Sequence, residues 1–533
     1  VLTVKTIVSL FLSLLLLCLA GLAVKVGFDA RASRVAAALA PNDAPKIHRT
    51  SDWSDSAAPD DGSQASTPSR QRPLRVGQNP FVAADRSGRF TSFSAATDQV
   101  AAEIFDSCLD HPTLVVWLLD RTDSATDLRQ QVAARLAQVY ETLDQFKFGA
   151  QADGSEPAEP WLVSVVGAFA AETEFLTPEP TADRRQVIEA ATSIASDAGG
   201  EEHTFGAIAE AADRFGRRAA DEHRRLLVVV ASDEAGDDDQ RVDELVGALR
   251  KQAIAVYVIG MPAAFGMRES LSGIVAVEAL HPIRQGPESR EPEVLNLGGW
   301  QSDWKPIDSG FGPFGLSRLA LATGGRFLAV RPVATYDPAT MAAYMPDYLP
   351  RALYDELLQT NRARRGVVEA ARQPRIDLGV RLETEFYKVD EADLKRKLDQ
   401  AQRYAARLEP KLQALYPLVE AGQADAARLV EPRWQANYDL ALGRLAAARA
   451  RIEGYNEALA QLKTGRAFPD PTHTTWVLQP TDDVRGDSAL EKLAALARKF
   501  LNRVQTQHHD TPWASQAARE LAAPMGWKWE SRP

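Results

Sequence analysis

The chain has 533 residues, 45% apolar and 25% charged, an ordinary globular balance with length enough for two or three domains. Its formal net charge of −11 argues against a general nucleic-acid binder, which carries a basic stripe. Two cysteines, Cys18 and Cys108, cannot build a disulfide framework, and the eight histidines form neither an HExxH nor a Cys/His zinc spacing.

Ile7 to Val24 is an uncharged apolar run between Lys5 and Lys25. It reaches the length that spans a bilayer and exceeds a usual signal-peptide core. The expectation is a single-pass transmembrane anchor within residues 1–26, which would place the protein in a membrane. Gly21 and Ala23 keep a cleaved signal peptide as the alternative. Basic residues on both flanks (Lys5 before; Lys25, Arg31 and Arg34 after) leave the side of the soluble part open. Residues 42–79 are rich in Ser, Asp, Pro, Gln and Thr. They bury too little to offset ordering entropy, so residues 27–91 read as a disordered linker.

From Ser92 the pattern becomes regular. Ala95 to Cys108 reads as a helix. Leu114 to Leu119 is a continuous apolar run, as in a strand buried on both faces of a parallel sheet. Leu128 to Phe146 is helical, with Val132, Leu136, Val139, Leu143 and Phe146 at helical spacing. Further buried strands are predicted at Trp161–Phe169, Leu226–Ala231 and Ile254–Gly260. Helices are predicted between them at Arg184–Ser196, Phe205–Phe215 and Arg241–Gln252. This alternation implies βαβ units and a parallel sheet covered on both faces. Pro262 to Phe314 interrupts it with a long segment carrying Trp300 and Trp304, which read as pinning the loop to the domain. Leu316–Thr323 is a helix stopped by Gly324-Gly325, and Arg326–Val330 is the closing strand.

Beyond Pro332 strand signals fade and Ala, Leu, Arg, Glu and Gln dominate. Residues 336–533 are expected to be all-helical. Short helices fall in Pro338–Arg372, and two long ones at Asp390–Ala421 and Ala424–Leu462. Narrow apolar stripes (Leu394, Leu398, Ala401, Leu408; Trp434, Tyr438, Leu442, Leu445) and a short connection make these two antiparallel neighbours with a coiled-coil-like seam. Ser488–Gln505 and a segment opening at Thr511-Pro512 are the last helices.

The chemistry sits where the first strand ends, in Asp120-Arg121-Thr122-Asp123-Ser124. Asp120, Thr122 and Ser124 alternate, and a loop leaving the carboxyl end of such a strand is where open α/β sheets place ligands. One carboxylate with two hydroxyls suits a hard cation such as Mg²⁺. Residues 113–333 resemble a von Willebrand factor A-type domain. That family has a doubly wound, mostly parallel α/β sheet and a metal-ion-dependent adhesion site, with the pattern Asp-x-Ser-x-Ser, a loop Thr and a later Asp. The resemblance implies Asp120, Thr122, Ser124, Thr204 (in GGEEHTFGAIAEA) and Asp233 (in VVVASDE) as ligands of Mg²⁺. Thr122 stands where the family has Ser, and Glu234 where it commonly has Gly. Such a cation, incompletely neutralised, would retain an appetite for an acidic side chain of a protein partner. The acidic run Asp237–Asp239 reads as a solvated loop, with a second cation contact as the alternative. His203 reads as a surface residue.

The leading expectation is therefore a membrane-tethered, non-enzymatic protein-binding module of residues 92–335, with a helical spacer of residues 336–533. A metal-free scaffold is the alternative. A metal-assisted hydrolase has little support, because no nucleophile elbow, paired metal-ligand motif or phosphate loop occurs. The oligomeric state and the partner are open.

Overall fold

A computed structural model describes residues 79–533 apart from 82–89, 150–156, 158, 267–269, 272–281, 284–285, 299–305, 332–335, 379–381, 466 and 485–487. Among the described residues no helix is long and apolar enough to cross a membrane. That corrects the single-pass membrane expectation. The run Ile7 to Val24 on which it rested lies outside the described residues, as do nearly all of the linker and both Trp300 and Trp304.

The first half follows the alternating pattern. α1 (Phe93–Asp110) precedes β1 (Thr113–Asp120), α2 (Thr126–Leu143) and β2 (Leu162–Phe169). Next come β3 (Thr173–Phe175), α3 (Arg184–Thr192), α4 (Thr204–Asp221), β4 (Arg225–Ala231), α5 (Val242–Lys251) and β5 (Ala255–Gly260). After the long insertion, α6 (Phe314–Ala322) and β6 (Phe327–Ala329) complete the sheet. The strand order is 3-2-1-4-5-6. Every pairing is parallel except β2 with the short β3.

All eight residues of β1 are buried, because it lies between β2 and β4 with helices on both faces. The strand's two-residue period divides its side chains between two cores. Val115, Trp117 and Leu119 pack with Ile104 and Phe105 of α1 and Val132 and Leu136 of α2. Leu114, Val116 and Leu118 pack with Phe205 and Ile208 of α4, Leu249 of α5 and Leu316 of α6. Each such side chain contributes roughly 1.5–3 kcal/mol by leaving water. The predicted stop of α6 is present. Gly324 takes φ +83, and a Cβ on Gly325 would lie 1.9 Å from the Val256 carbonyl oxygen. The glycine pair therefore ends the helix and admits β5 at close range.

The second half is helical, with an added three-stranded sheet and a two-residue strand, Ile376–Asp377, paired with Leu297–Gly298. It contains α7 (Pro338–Ala342), α8 (Arg351–Thr360), α9 (Arg362–Ala371), β7 (Glu385–Tyr387), α10 (Glu391–Glu420), α11 (Pro432–Lys463), β8 (Thr475–Thr481), α12 (Ser488–Gln507), α13 (Pro512–Ala522) and β9 (Gly526–Arg532). α10 and α11 run antiparallel. Lys463 meets Asp399, Asn456 meets Glu409 at 3.3 Å, and the Arg449 guanidinium lies over the Tyr416 ring. The narrow stripe holds for α10 only. α11 is buried over most of its surface, because α12, α13 and β9 pack on it as well as α10. It is the central helix of a bundle rather than one side of a two-helix seam.

The added sheet is antiparallel, in the order β7-β8-β9. The strands are short and lie within Ala/Leu-rich sequence, so their two-residue period was masked. Trp527 and Trp529 dock on α11 from β9. Their indole N–H groups donate to the Arg451 and Ala458 carbonyls at 2.8 and 3.0 Å.

The insertion fastens the two halves together. Glu288 and Glu293, both almost fully buried, pair with Arg433 of α11 at 3.1 and 2.7 Å. Asn437 and Tyr354 add hydrogen bonds to Glu293 at 2.9 and 3.1 Å. Arg444 donates to the Leu295 and Leu297 carbonyls at 2.8 and 3.0 Å and pairs with Glu520 at 2.9 Å. Charges buried this deeply must be matched group by group, so the network holds the insertion in one register.

Candidate metal centre

β1 and β4 are adjacent, and the chain leaves β1 toward β2 on one side and β4 on the other. The crevice at their carboxyl ends is the topological switch point of the sheet. Asp120 is the last residue of β1, and Ser232 and Asp233 follow β4 directly. The register, Leu119 opposite Ala231, brings the two chain exits side by side. Four of the five expected residues are linked there by hydrogen bonds. Asp120 Oδ1 accepts from Thr122 N at 2.8 Å and from Thr122 Oγ1 at 2.7 Å. Thr122 Oγ1 lies 3.1 Å from Ser124 Oγ, which reaches Asp233 Oδ1 at 3.4 Å. Thr122, which stands where the family has Ser, keeps a hydroxyl at this position.

Glu202 was not anticipated. It is 1% exposed, with Oε1 3.1 Å from Thr122 Oγ1 and Oε2 3.3 Å from Ser232 Oγ. Carboxylate oxygens of Asp120, Glu202 and Asp233 all lie within 4.8 Å of one another. The overlooked signal is an acidic residue two positions before Thr204, the same alternation that marks Asp120, Thr122 and Ser124.

The fifth expected residue, Thr204, opens α4. Its hydroxyl is fully buried and has no hydrogen-bond partner. A Cβ on Gly236, which takes φ +81, would lie 2.9 Å from that oxygen. The close-approach glycine therefore sits three residues after Asp233, and Glu234 in the family's glycine position is tolerated.

Within the acidic run Asp239 is exposed, as expected of a solvated loop, but Asp238 is buried and Asp237 half-buried. Asp238 caps α4 from outside the helix, accepting from Phe205 N at 3.0 Å and Gly206 N at 2.6 Å. Asp237 accepts from Glu202 N at 3.0 Å, while its own N–H donates to the Glu202 carbonyl at 2.7 Å. These bonds hold Glu202 at the crevice and satisfy free N–H groups at the start of α4, which Thr204 opens. His203 is exposed, as expected, with its ring Nδ1 2.8 Å from the Ala171 carbonyl.

The electrostatics are unbalanced. Among the described residues no cationic side chain pairs with these three carboxylates. The nearest cation, buried Arg129, gives its guanidinium to the Asp120 and Thr122 carbonyls (2.8 and 3.2 Å) and to Ser196 Oγ (2.8 Å). It braces the loop backbone without neutralising the acids. Burial raises the Asp120 carboxyl above the usual range against the hydrogen bonds from Thr122. Burial and then the charge of Asp120 push Asp233 up to about 7. Burial, then Asp120, Glu234 and Asp233, push Glu202 up to about 11. Asp120 Oδ2 is buried and accepts no hydrogen bond.

The donor set suits a hard divalent cation. It is oxygen only, and two of its buried oxygens, Asp120 Oδ2 and Thr204 Oγ1, are orphaned. Adjacent ligands on octahedral Mg²⁺ stand about 3 Å apart, given its bond length of about 2.1 Å. The Thr122–Ser124 and Thr122–Glu202 oxygen pairs, both at 3.1 Å, match that edge.

Residues 115–288 match the family model described as von Willebrand factor type A domain. No curated protein matches the chain. Solved structures similar to it include an aerotolerance-related membrane protein from Bacteroides fragilis NCTC 9343 with multiple mutations to serines. It is 16% identical, over 43% of this chain and 96% of that one, with TM-score 0.26. The conserved hypothetical protein BatB from Bacteroides thetaiotaomicron is 16% identical, over 41% and 90% respectively, with TM-score 0.26. Proximal thread matrix protein 1 from the mussel byssus, with a zinc-occupied MIDAS motif, is 15% identical, over 32% and 41%, with TM-score 0.23. Likenesses this remote say nothing of what this chain binds. The family match covers the β1 exit, the GGEEHT loop and the β4 exit together, and this chain accordingly carries a von Willebrand factor type A domain at residues 115–288.

Proposed function

We propose that this chain is a protein-binding module whose docking face is the carboxyl edge of the sheet, organised by a bound divalent cation, Mg²⁺ being the expected ion. Asp120, Thr122, Ser124, Thr204 and Asp233 would hold it. The ion would supply positive charge to a pocket of three unpaired carboxylates and draw together the loops after β1, before α4 and after β4. The observation that carries this reading is the pair of orphaned buried oxygens, Asp120 Oδ2 and Thr204 Oγ1. A buried polar atom without a partner costs about 1–3 kcal/mol, and a hard cation would satisfy both. The helical region, lashed to the insertion through Arg433 and Arg444, serves as a rigid mount.

A cation-free scaffold is the second reading. It is favoured by the hydrogen bonds that already link Asp120, Thr122, Ser124 and Asp233. Calorimetry of the full chain separates the two. Adding Mg²⁺ or Mn²⁺ to chelator-treated protein should raise its thermal midpoint. At 100 times the dissociation constant the gain is about 2.7 kcal/mol, and Asp120→Ala should abolish it. A midpoint indifferent to both ions defeats the cation reading.

A further inference from the structure

The side chain of Glu202 has no counterpart in the pattern of two aspartates and three hydroxyls that led to this site. We infer that Glu202 is an intramolecular ligand, occupying at the cation the position that an acidic side chain from a partner would otherwise take. The inference rests on the cation reading above and goes beyond it by naming how the ion's coordination is completed.

Proton counting supports it. Thr122 Oγ1 has one proton, and its 2.7 Å contact claims that proton for Asp120 Oδ1. The contact between Thr122 Oγ1 and Glu202 Oε1, 3.1 Å, then lacks a proton from Thr122. A proton on Glu202 or a cation between the two oxygens would favour so close an approach. Asp120, a member of the same carboxylate trio, has a buried Oδ2 without a hydrogen-bond partner, a second sign of a missing positive group. Glu202 is also held in place. Its backbone N–H and carbonyl are both bonded to Asp237, and it lies two residues before a helix whose first N–H groups are capped by Asp238.

The consequence is chemical. Three carboxylates more than neutralise a divalent charge, so the ion keeps little attraction for a fourth. A partner would then dock on the rim formed by the three loops and need not bring an acid to the metal.

Mn²⁺ is the probe. Titration of the chelator-treated full chain, followed by electron paramagnetic resonance, gives affinity, and water-proton relaxation gives the number of exchanging waters on the ion. The variants are Glu202→Ala and the near-isosteric Glu202→Gln. The inference expects both to bind Mn²⁺ at least about tenfold more weakly. It expects Glu202→Ala to gain inner-sphere water that acetate then displaces, while acetate leaves the wild-type signal unchanged. Wild-type affinity and hydration in both variants, or acetate displacing water from the wild-type ion, overturns the role of Glu202 and leaves the cation reading intact. Failure of the wild-type chain to bind Mn²⁺ at all removes the cation reading, and this inference with it. If Glu202→Ala does not fold, the affinity of Glu202→Gln decides.

Discussion

Replacing Asp233 by Asn should make the cation-free protein more stable at alkaline pH, against the usual cost of altering a buried group. Asp233 is 6% exposed. Burial, and after it the Asp120 charge, raise its carboxyl from 3.8 to about 7. A carboxyl whose pKa is raised by folding holds its proton more tightly in the native state. Its contribution is whole below about pH 4, where both states are protonated, and is lost as pH climbs from about 4 to 7. At 1.36 kcal/mol per unit the loss is about 4 kcal/mol. Asn keeps the shape and an acceptor for Ser124 but carries no charge. In chelator, urea unfolding of Asp233→Asn should therefore show a gain over wild type of up to about 4 kcal/mol at pH 8, shrinking toward zero near pH 4. Saturating Mg²⁺ should reverse the order, because the variant lacks a carboxylate the ion would use. A variant that is neutral or weaker at pH 8 in chelator, or a difference that does not vary with pH, would refute the reasoning.

Thr204→Ala deletes a buried hydroxyl that has no partner; without cation its stability should match wild type or exceed it by up to about 1 kcal/mol, while the Mg²⁺-induced rise in thermal midpoint shrinks. Asp238→Ala removes the acceptor for two N–H groups at the start of α4 and should cost about 1–2 kcal/mol in denaturant titrations, with weaker Mn²⁺ binding because the Glu202–Thr204 loop loses its brace. Arg433→Met strands Glu288 and Glu293 without a counter-charge; the expected loss is about 3–5 kcal/mol by urea unfolding, and a loss under 1 kcal/mol would show that the insertion is not fastened through this pair.

Much of this protein was legible along the chain because the relevant physics is local. The short apolar runs at Leu114–Leu119 and Leu226–Ala231, alternating with helical patterns, suit strands covered on both faces, and Gly324-Gly325 marked a helix end. The alternation of Asp120, Thr122 and Ser124 after a buried strand pointed to the sheet edge, and there the structure gathers them with Asp233. The region after Pro332 was harder. Its long helices showed in their periodicity, but the three short strands β7, β8 and β9 did not, since seven residues of alternation are weak beside thirty of helix.

Tertiary structure alone decided the rest. α11 reads as an amphipathic helix but is buried over most of its surface, because what covers a helix depends on neighbours distant in sequence. Asp237 and Asp238 read as a solvated acidic loop, yet the chain after β4 brings them to the free N–H groups of Glu202 and the start of α4, which bind them. Glu202 was one of two adjacent glutamates in a polar loop until that same contact turned it inward, 1% exposed, beside Asp120 and Asp233. Short-range patterning selects elements through hydrogen-bond geometry and burial periodicity. Which charges share a desolvated volume is set by how those elements close over one another.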